Sequence, residues 1–582
     1  MSVVAVFMMG MTLLYPLAMF RGLEPTSGYF GNAYQALHPD SFPDDPFMSP
    51  ARPTMHSLVY LLVKLVGERW LDDRVTFVVF MGLTAAALLG IDRTARLLGA
   101  TRAGERIAIL SLMLLGHQIL NNRGFAVDCI DFSPTVFAAP VIIWLLHASL
   151  AGSAPRRVIP LMALVPLISL KSAAMPLLLA GTLLWKDRLG ARGRRIAGLA
   201  ALGLVAASLA VYYAFVRPPD GSHPWVFDHL VREDPSEADP FKNPPMGSAL
   251  FLAMCAAGLV MRGPNPAAME RVKVVAGLGG LVWLLGGLYV SLAPDGLKIP
   301  YLAAAHPPRM LWWTQYVLYL ALGVGLLKGV QQARSWAGLG AAWGVLMALY
   351  LLHDTFHAKL AVVVIGMSVV MTGVALRRLS GSGAQSPQPS ARSQGIVVAM
   401  RPAWRLRAVS VAMAVGVLSL YGIGTLHRRL DALRSLVRHG VMGDNETAKW
   451  VGVNEYVRSS TPASATFLAL SVARDGRTLM HDGFLRVRTG RSMLFGHPVG
   501  LYFDARSLRW YDEQLGRINA LLSAWDRRQP DEVSRALSDL GAPDYVVAPT
   551  GRSEWLREHP EFPYAADTAI GHFTVLRKGS PG

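Results

Sequence analysis

Two neighbouring carboxylates, Asp44 and Asp45, sit in the segment HPDSFPDDPFM, shortly after an apolar opening stretch. At a membrane surface such a pair can supply a general base for a hydroxyl acceptor, or hold a divalent cation such as Mg or Mn beside a phosphate leaving group. Asp40, Asp44 and Asp45 equally suit a plainer role: capping a following helix, lining a turn with Pro43 and Pro46, or facing water. A second set is basic. KIPYLAAAHPPRMLWW carries Lys298, His306 and Arg309 just ahead of an apolar run, and NNRGFAVDCID carries Arg123 with Asp128 and Asp131. A guanidinium binds phosphate through a planar fork and an ammonium as a point charge, so a phosphate or pyrophosphate headgroup finds donors here. For Arg309 the alternatives are snorkelling to the interface or an internal ion pair. Trp312 and Trp313 fit interfacial anchors better than sugar-stacking platforms. Lys171, inside an apolar hairpin, joins the substrate-binding candidates, although a paired structural lysine is the commoner use of such a residue. HDTFH places His353 and His357 on one face if helical, but so short a connection reads as an interface turn rather than a metal site. Asp220, His223, Asp228, His229 and Glu233 belong to a charged, Pro-rich loop that could cover a site and by default is solvated.

The elements that must position these residues are membrane helices. The chain has 582 residues, 52% hydrophobic and only 16% charged. Its apolar runs approach the roughly 20 residues a helix needs to cross a bilayer. That excludes an ordinary soluble domain. The net charge of +17 would raise the question of nucleic acid in a soluble protein. Here most of the basic blocks lie between apolar segments, which points to cytoplasmic loops and anionic lipid instead. The two cysteines, Cys129 and Cys255, have no metal-ligand spacing and read as silent buried thiols. The opening segment has no basic flank and no cleavage site, so it reads as a retained span.

Candidate crossings lie at 3–20, 75–91, 107–120, 132–149, 158–171, 174–185, 197–216, 247–261, 272–292, 310–328, 336–352, 358–376 and 406–424. These make a polytopic α-helical membrane protein of about thirteen transmembrane helices, within a range of about 11 to 13. The stretches around Pro160, Pro166 and Pro176 are short, and a break at Lys171 and Ser172 predicts a tight hairpin or a partly re-entrant pair. Residues 56–66 are too short to span and read as an interfacial helix. With this count Arg93, Arg96, Arg102, Arg106, Arg156, Arg157, Arg262, Arg271, Lys273 and Lys328 all fall on one side, the cytoplasmic one. The N-terminus is then cytoplasmic. Loop 21–73, the loops at 121–131, 217–246 and 293–309, and everything after 425 face the other side. The domains are a bundle over 1–378, a Ser/Gly/Pro-rich cytoplasmic linker over 379–404, a last span over 405–425 and an extracytoplasmic α/β domain over 426–582. In that domain NETAKWVGVNEYVRSS and the stretch from Leu508 to Leu540 read as helices. FLALS, LMHDGFLRVRTGR, MLFGH, YVVAPT and HFTVLRKG read as strands. It carries no GxGxxG or Walker-type loop.

The chain resembles the GT-C superfamily of integral-membrane glycosyltransferases. The resemblance rests on the first span, the external loop with HPDSFPDD, the interfacial helix after it, the broken middle helices and the external mixed domain. NAYQALHPDSFPDDPFM is similar to the first loop of bacterial members, and WVGVNEYVRSSTPASATFLAL with the later PDYVVAPT is similar to the domain after their last span. The resemblance implies a bacterial inner-membrane enzyme moving a sugar from a polyprenyl-phosphate donor to an envelope lipid or glycan acceptor. It implies Asp45 as the catalytic carboxylate, with Asp44 assisting or binding metal. Arg309, and with it Lys298 or His306, would contact the donor phosphate. The C-terminal domain lacks a WWDYG-type motif, which disfavours peptide glycosylation. Two other classes stay open: a transporter of a lipid-linked substrate using Lys171 and the intramembrane breaks, and a non-catalytic envelope assembly protein.

Overall fold

The computed structural model describes residues 2–19, 37–38, 41–42, 58–67, 69, 72–115, 134–188, 223–233, 241, 245–299, 311–332, 430, 433–438, 440, 445–472, 478–479, 489–494 and 505–579. The crossings expected at 197–216, 336–352, 358–376 and 406–424, and the linker at 379–404, lie outside these residues.

Each expected apolar run that is described is helical. The helices are α1 (Val3–Met19), α2 (Leu58–Val66), α3 (Asp73–Leu98), α4 (Ala103–Leu115), α5 (Pro134–Leu150), α6 (Pro155–Ile168), α7 (Leu170–Arg188), α8 (His223–Glu233), α9 (Pro245–Val260), α10 (Pro266–Leu292) and α11 (Trp312–Gln332). One apolar core joins α1 to α7 and α9 to α11. Among the described residues, α3 and α10 are long and apolar enough to cross a membrane. Along α10, Leu281, Leu284, Leu285, Leu288 and Leu292 form an exposed stripe at helical spacing.

Local chemistry sets the helix ends. Asp72 caps α3 by accepting from the Arg74 N–H at 2.8 Å. Gly99 ends it in the left-handed region at φ 116°, and a Cβ there would also meet Pro264 at 2.2 Å. Asn265 works on two helices at once. Its Oδ1 accepts from the Ala268 N–H at the start of α10, and its Nδ2 donates to the Leu97 carbonyl at the end of α3.

The break in the middle of the bundle is one residue wide and falls at Ser169, not at Lys171 and Ser172, which lie inside α7. Ser169 is extended, with φ −147° and ψ 100°. Its hydroxyl donates to Ser172 at 3.0 Å, and Ser172 donates to Thr135 at 3.1 Å. This short hydroxyl chain ties the end of α6 to the starts of α5 and α7. Of the two sequence alternatives, α6 and α7 therefore realise the tight hairpin, with Pro160, Pro166 and Pro176 tolerated inside the helices.

The basic residues gather at one end of the bundle, as the alternation of loops requires. Asp92, on the last turns of α3 and only 2% exposed, takes Arg106 of α4 through two bonds of 2.6 and 2.7 Å. It also takes Arg96 at 2.7 Å. Glu105, fully buried, holds Lys328 of α11 at 2.7 Å. Arg271 of α10 donates to the Leu150 carbonyl that ends α5.

The C-terminal domain opens with α12 (Asn445–Ser460). Its strands are β1 (Thr466–Ala469), β2 (Ser471–Val472), β3 (Thr478–Leu479), β4 (Ser492–Met493), β5 (Tyr545–Pro549), β6 (Tyr564–Ile570) and β7 (Phe573–Lys578), with helices α13 (Ala505–Asp526) and α14 (Pro530–Asp539) between β4 and β5. The main sheet runs β4-β1-β5-β7-β6, parallel across β4, β1 and β5 and antiparallel beyond. Core residues of α12 pack with alternate sheet residues, and those of α13 and α14 pack with the others, as the two-residue period of strands demands. Asp544 sets the register of β1 against β5 by accepting from the Thr466 N–H at 2.8 Å and its hydroxyl at 3.0 Å. Strand β6, YAADTAI, escaped the sequence reading: it is a mostly exposed edge with a bulge between Ala566 and Thr568, so it lacks apolar alternation.

Arg491 closes the C-terminal end of α12. It is 8% exposed, and its guanidinium donates to the carbonyls of Val457, Arg458, Thr461 and Thr489. These include helix-end carbonyls with no intrahelical partner. Arg491→Met is expected to cost about 2–4 kcal/mol, because several buried acceptors lose a charged donor together. Thermal unfolding of the full chain, followed by proteolysis within 445–579, measures it. An unchanged transition would show that water replaces the guanidinium freely.

Tyr456 on α12 donates its hydroxyl to Asp567 on β6. Burial first, and then this bond to a carboxylate, push the phenol up to about 12. The folded value lies above the unfolded one of about 10, so this contribution to stability is complete below about pH 10 and disappears as pH rises towards 12. Burial also raises Tyr564, so ultraviolet titration should show several late phenols, of which one moves down in Asp567→Asn. No downward movement of any late phenol in that variant would assign the Tyr456 shift to burial alone.

Candidate functional site

The opposite end of the bundle collects the expected site residues that the structure describes. Residues 433–438 are helical, and Arg74 at the start of α3 donates to the Leu436 and Val437 carbonyls at 2.9 and 2.7 Å. The Asp73 N–H donates to the Gly440 carbonyl. The chain leading into the C-terminal domain is thereby fastened to the end of α3 away from Asp92. The same end carries the C-terminus of α10 and the segment 293–299 that follows it.

Lys298 is the centre of this region. Its ammonium, 18% exposed, bonds Asp228 of α8 at 2.9 Å and Asp295 at 3.0 Å. Asp228 first and Asp295 second hold it above the usual lysine range. The backbone beside it is fixed by Tyr289 of α10, whose hydroxyl donates to the Leu297 carbonyl at 2.7 Å and accepts from the Ile299 N–H at 3.0 Å. Phe227 of α8 stands edge-on to the Tyr289 ring at 5.8 Å. On its other side α8 meets the C-terminal domain, where the Arg509 guanidinium of α13 lies over the Trp225 ring at 5.0 Å. The segment expected as a solvated loop therefore contains a helix that touches both halves of the molecule. Its signal was present in HPWVFDHLVRE: Pro224 in the first turn, then Val226, Phe227, Leu230 and Val231 at helical spacing.

Helix α11 starts inside the bundle. A Cβ on Gly279, the midpoint of α10, would meet the Thr314 side chain at 2.3 Å. Leu311 is fully buried, and Trp312 and Trp313 are 7% and 4% exposed. Both tryptophans are core residues and not interfacial anchors. An aromatic pair at the start of an apolar run cannot by itself reveal how deep that start lies.

In the first loop, Phe42 is described. It is 2% exposed and has φ 62°. A bulky side chain seldom adopts this left-handed conformation, and less so before a proline. The backbone two residues before Asp44 is thus anchored by a buried ring. Asp44, Asp45, Arg123, His306 and Arg309 lie outside the described residues. Lys171 is in the first turn of α7, with its side chain outside them. Among the described residues no group of three or more His, Cys, Asp or Glu side chains is arranged to hold a metal.

Together these features define a helical bundle with a basic network at one end and a mixed α/β domain attached at the other. Two solved structures of ArnT from Cupriavidus metallidurans are similar to the chain. The one bound to undecaprenyl phosphate has 14% identity and a TM-score of 0.42, and the match covers 99% of this chain and 98% of that one. The apo state has 14% identity and a TM-score of 0.43, covering 98% and 97%. No protein-family model matches the chain, and neither does any curated protein.

Proposed function

We propose that the chain is a membrane-embedded glycosyltransferase of the GT-C type. It moves a sugar from a polyprenyl-phosphate donor to a lipid or glycan acceptor at the extracytoplasmic face of a bacterial inner membrane. Membrane embedding is supported by the exposed leucine stripe of α10, which in water would be an aggregation surface. The observation that carries the enzymatic reading is the entry of α11 at the mid-depth of α10. The run with Lys298, His306 and Arg309 joins the external end of α10 to a buried Leu311. A donor whose tail lies in lipid and whose phosphate sits at the bundle's outer end meets basic residues along this path.

In the proposed reaction Asp45 accepts the proton of the acceptor hydroxyl. The new carbon–oxygen bond forms at the anomeric carbon opposite the departing phosphate, so the anomer inverts. Arg309, helped by Lys298, His306, Arg123 or Lys171, takes up the charge that grows on the phosphate oxygens. Asp44 and Asp45 also suit a hard cation. Mg or Mn bound there would neutralise phosphate charge.

The test is transfer of radiolabelled sugar from polyprenyl-phosphate donors in membranes carrying the full chain. Donor-dependent label in lipid or glycan supports the reading. A folded protein that transfers nothing across a broad donor and acceptor panel overturns it in favour of transport or envelope assembly.

A further inference from the structure

The two sets of ion pairs in this protein are built differently. Asp92 is almost fully buried, and Arg106 beside it is 14% exposed, so separating them would take the two-bond partner from a buried carboxylate and leave it the more exposed Arg96. Asp228 is 41% exposed and Asp295 is 76% exposed, so their bonds to Lys298 are shared with water. Pairs of this kind hold weakly and exchange readily. The two carboxylates also differ from each other. Asp295 is three residues from Lys298, in the segment whose backbone Tyr289 fixes. Asp228 belongs to α8, which also contacts the C-terminal domain through Trp225 and Arg509. Loss of the Lys298–Asp228 bond would therefore leave the bonds within the Lys298 segment intact and remove a tether on α8. Phe227 against Tyr289 remains as its pivot.

We propose that α8 is a strap between the C-terminal domain and the bundle, latched by the Lys298–Asp228 pair, and that the phosphate of a polyprenyl-phosphate lipid opens the latch by taking Lys298 from Asp228. The proposal rests on the donor class assigned above. A phosphate monoester presents more charge and more acceptor oxygens to an ammonium than one half-exposed carboxylate does. Occupation of the headgroup position is thus coupled to loosening of the one described helix of the 217–246 loop.

Hydrogen exchange of residues 223–233 in the full chain, in lipid nanodiscs, tests this, with bound lipid counted by native mass spectrometry. Polyprenyl phosphate is expected to speed exchange of these amides about fivefold, the scale of a weak, partly exposed pair. The polyprenol alcohol should leave it unchanged. Lys298→Gln and Asp228→Asn should each show the fast exchange without lipid, and polyprenyl phosphate should add nothing to it. Bound polyprenyl phosphate with unchanged exchange in the wild type overturns the latch and leaves the donor assignment standing. Slow exchange in both variants shows that the pair does not pin α8. Equal opening by inorganic phosphate at the lipid's concentration overturns the assignment to a lipid. Absence of any bound polyprenyl phosphate removes the donor reading and the trigger with it, while the two variants still report whether the pair pins α8.

Discussion

Asp45→Asn is expected to lower donor-dependent sugar transfer by about 10²–10⁴-fold, the range that a positioned general base supplies. Asparagine keeps the size of the side chain and one acceptor oxygen but cannot take the hydroxyl proton. The loss should therefore fall on kcat, with KM for the donor little changed. Asp44→Asn separates the two carboxylates. If Asp44 only assists, its effect is smaller, and if the pair holds a cation, both variants shift the dependence of the rate on Mg or Mn. A loop substitution of this type changes stability by about 0.5 kcal/mol or less. Matched protein levels and an unchanged melting temperature then make the rate the informative readout. Transfer by Asp45→Asn at the wild-type rate would return Asp45 to the plainer role of turn or solvated residue.

Arg106→Met is expected to destabilise the bundle by about 1–3 kcal/mol, because it takes the two-bond partner from a carboxylate at 2% exposure and leaves it the Arg96 bond. Arg96 also reaches Asp92 but is 44% exposed itself, so Arg96→Met should cost about 1 kcal/mol or less. The contrast separates a buried clamp from a surface pair at the same acceptor. Replacing both charges, as in Asp92→Leu with Arg106→Met, should recover much of the loss, since no bare charge is left. Thermal unfolding of the purified chain in detergent gives the order. Equal melting temperatures for Arg106→Met and Arg96→Met would mean that the two guanidiniums hold Asp92 equally, against the difference in their burial.

The sequence by itself determined the described apolar helices, because apolar runs and their caps are local properties. The runs at 3–20, 75–91, 247–261 and 272–292 appear as α1, α3, α9 and α10, with α3 running on to Leu98 and α10 starting already at Pro266. It also determined which basic residues share an end, since alternation of loops follows from counting crossings. The pairs Arg106 with Asp92 and Lys328 with Glu105, and the bond from Arg271 to Leu150, bear this out for the described residues. In the C-terminal domain NETAKWVGVNEYVRSS, FLALS, YVVAPT and HFTVLRKG were legible because each alternates or repeats at its own period. The Ala-rich, mostly exposed β6 does not.

Tertiary structure decided what depends on depth and on partners distant in sequence. Trp312 and Trp313 sit deep because Thr314 packs against the middle of α10, and nothing local to their own run encodes the level of another helix. Ser169 takes the break because its hydroxyl finds Ser172, whose own hydroxyl donates to Thr135. Lys298 was legible as a cation in the segment after an apolar run. That Asp228, 70 positions away, holds it could not be read, because a charge reveals its sign along the chain but its partner only once α8 is folded against α10.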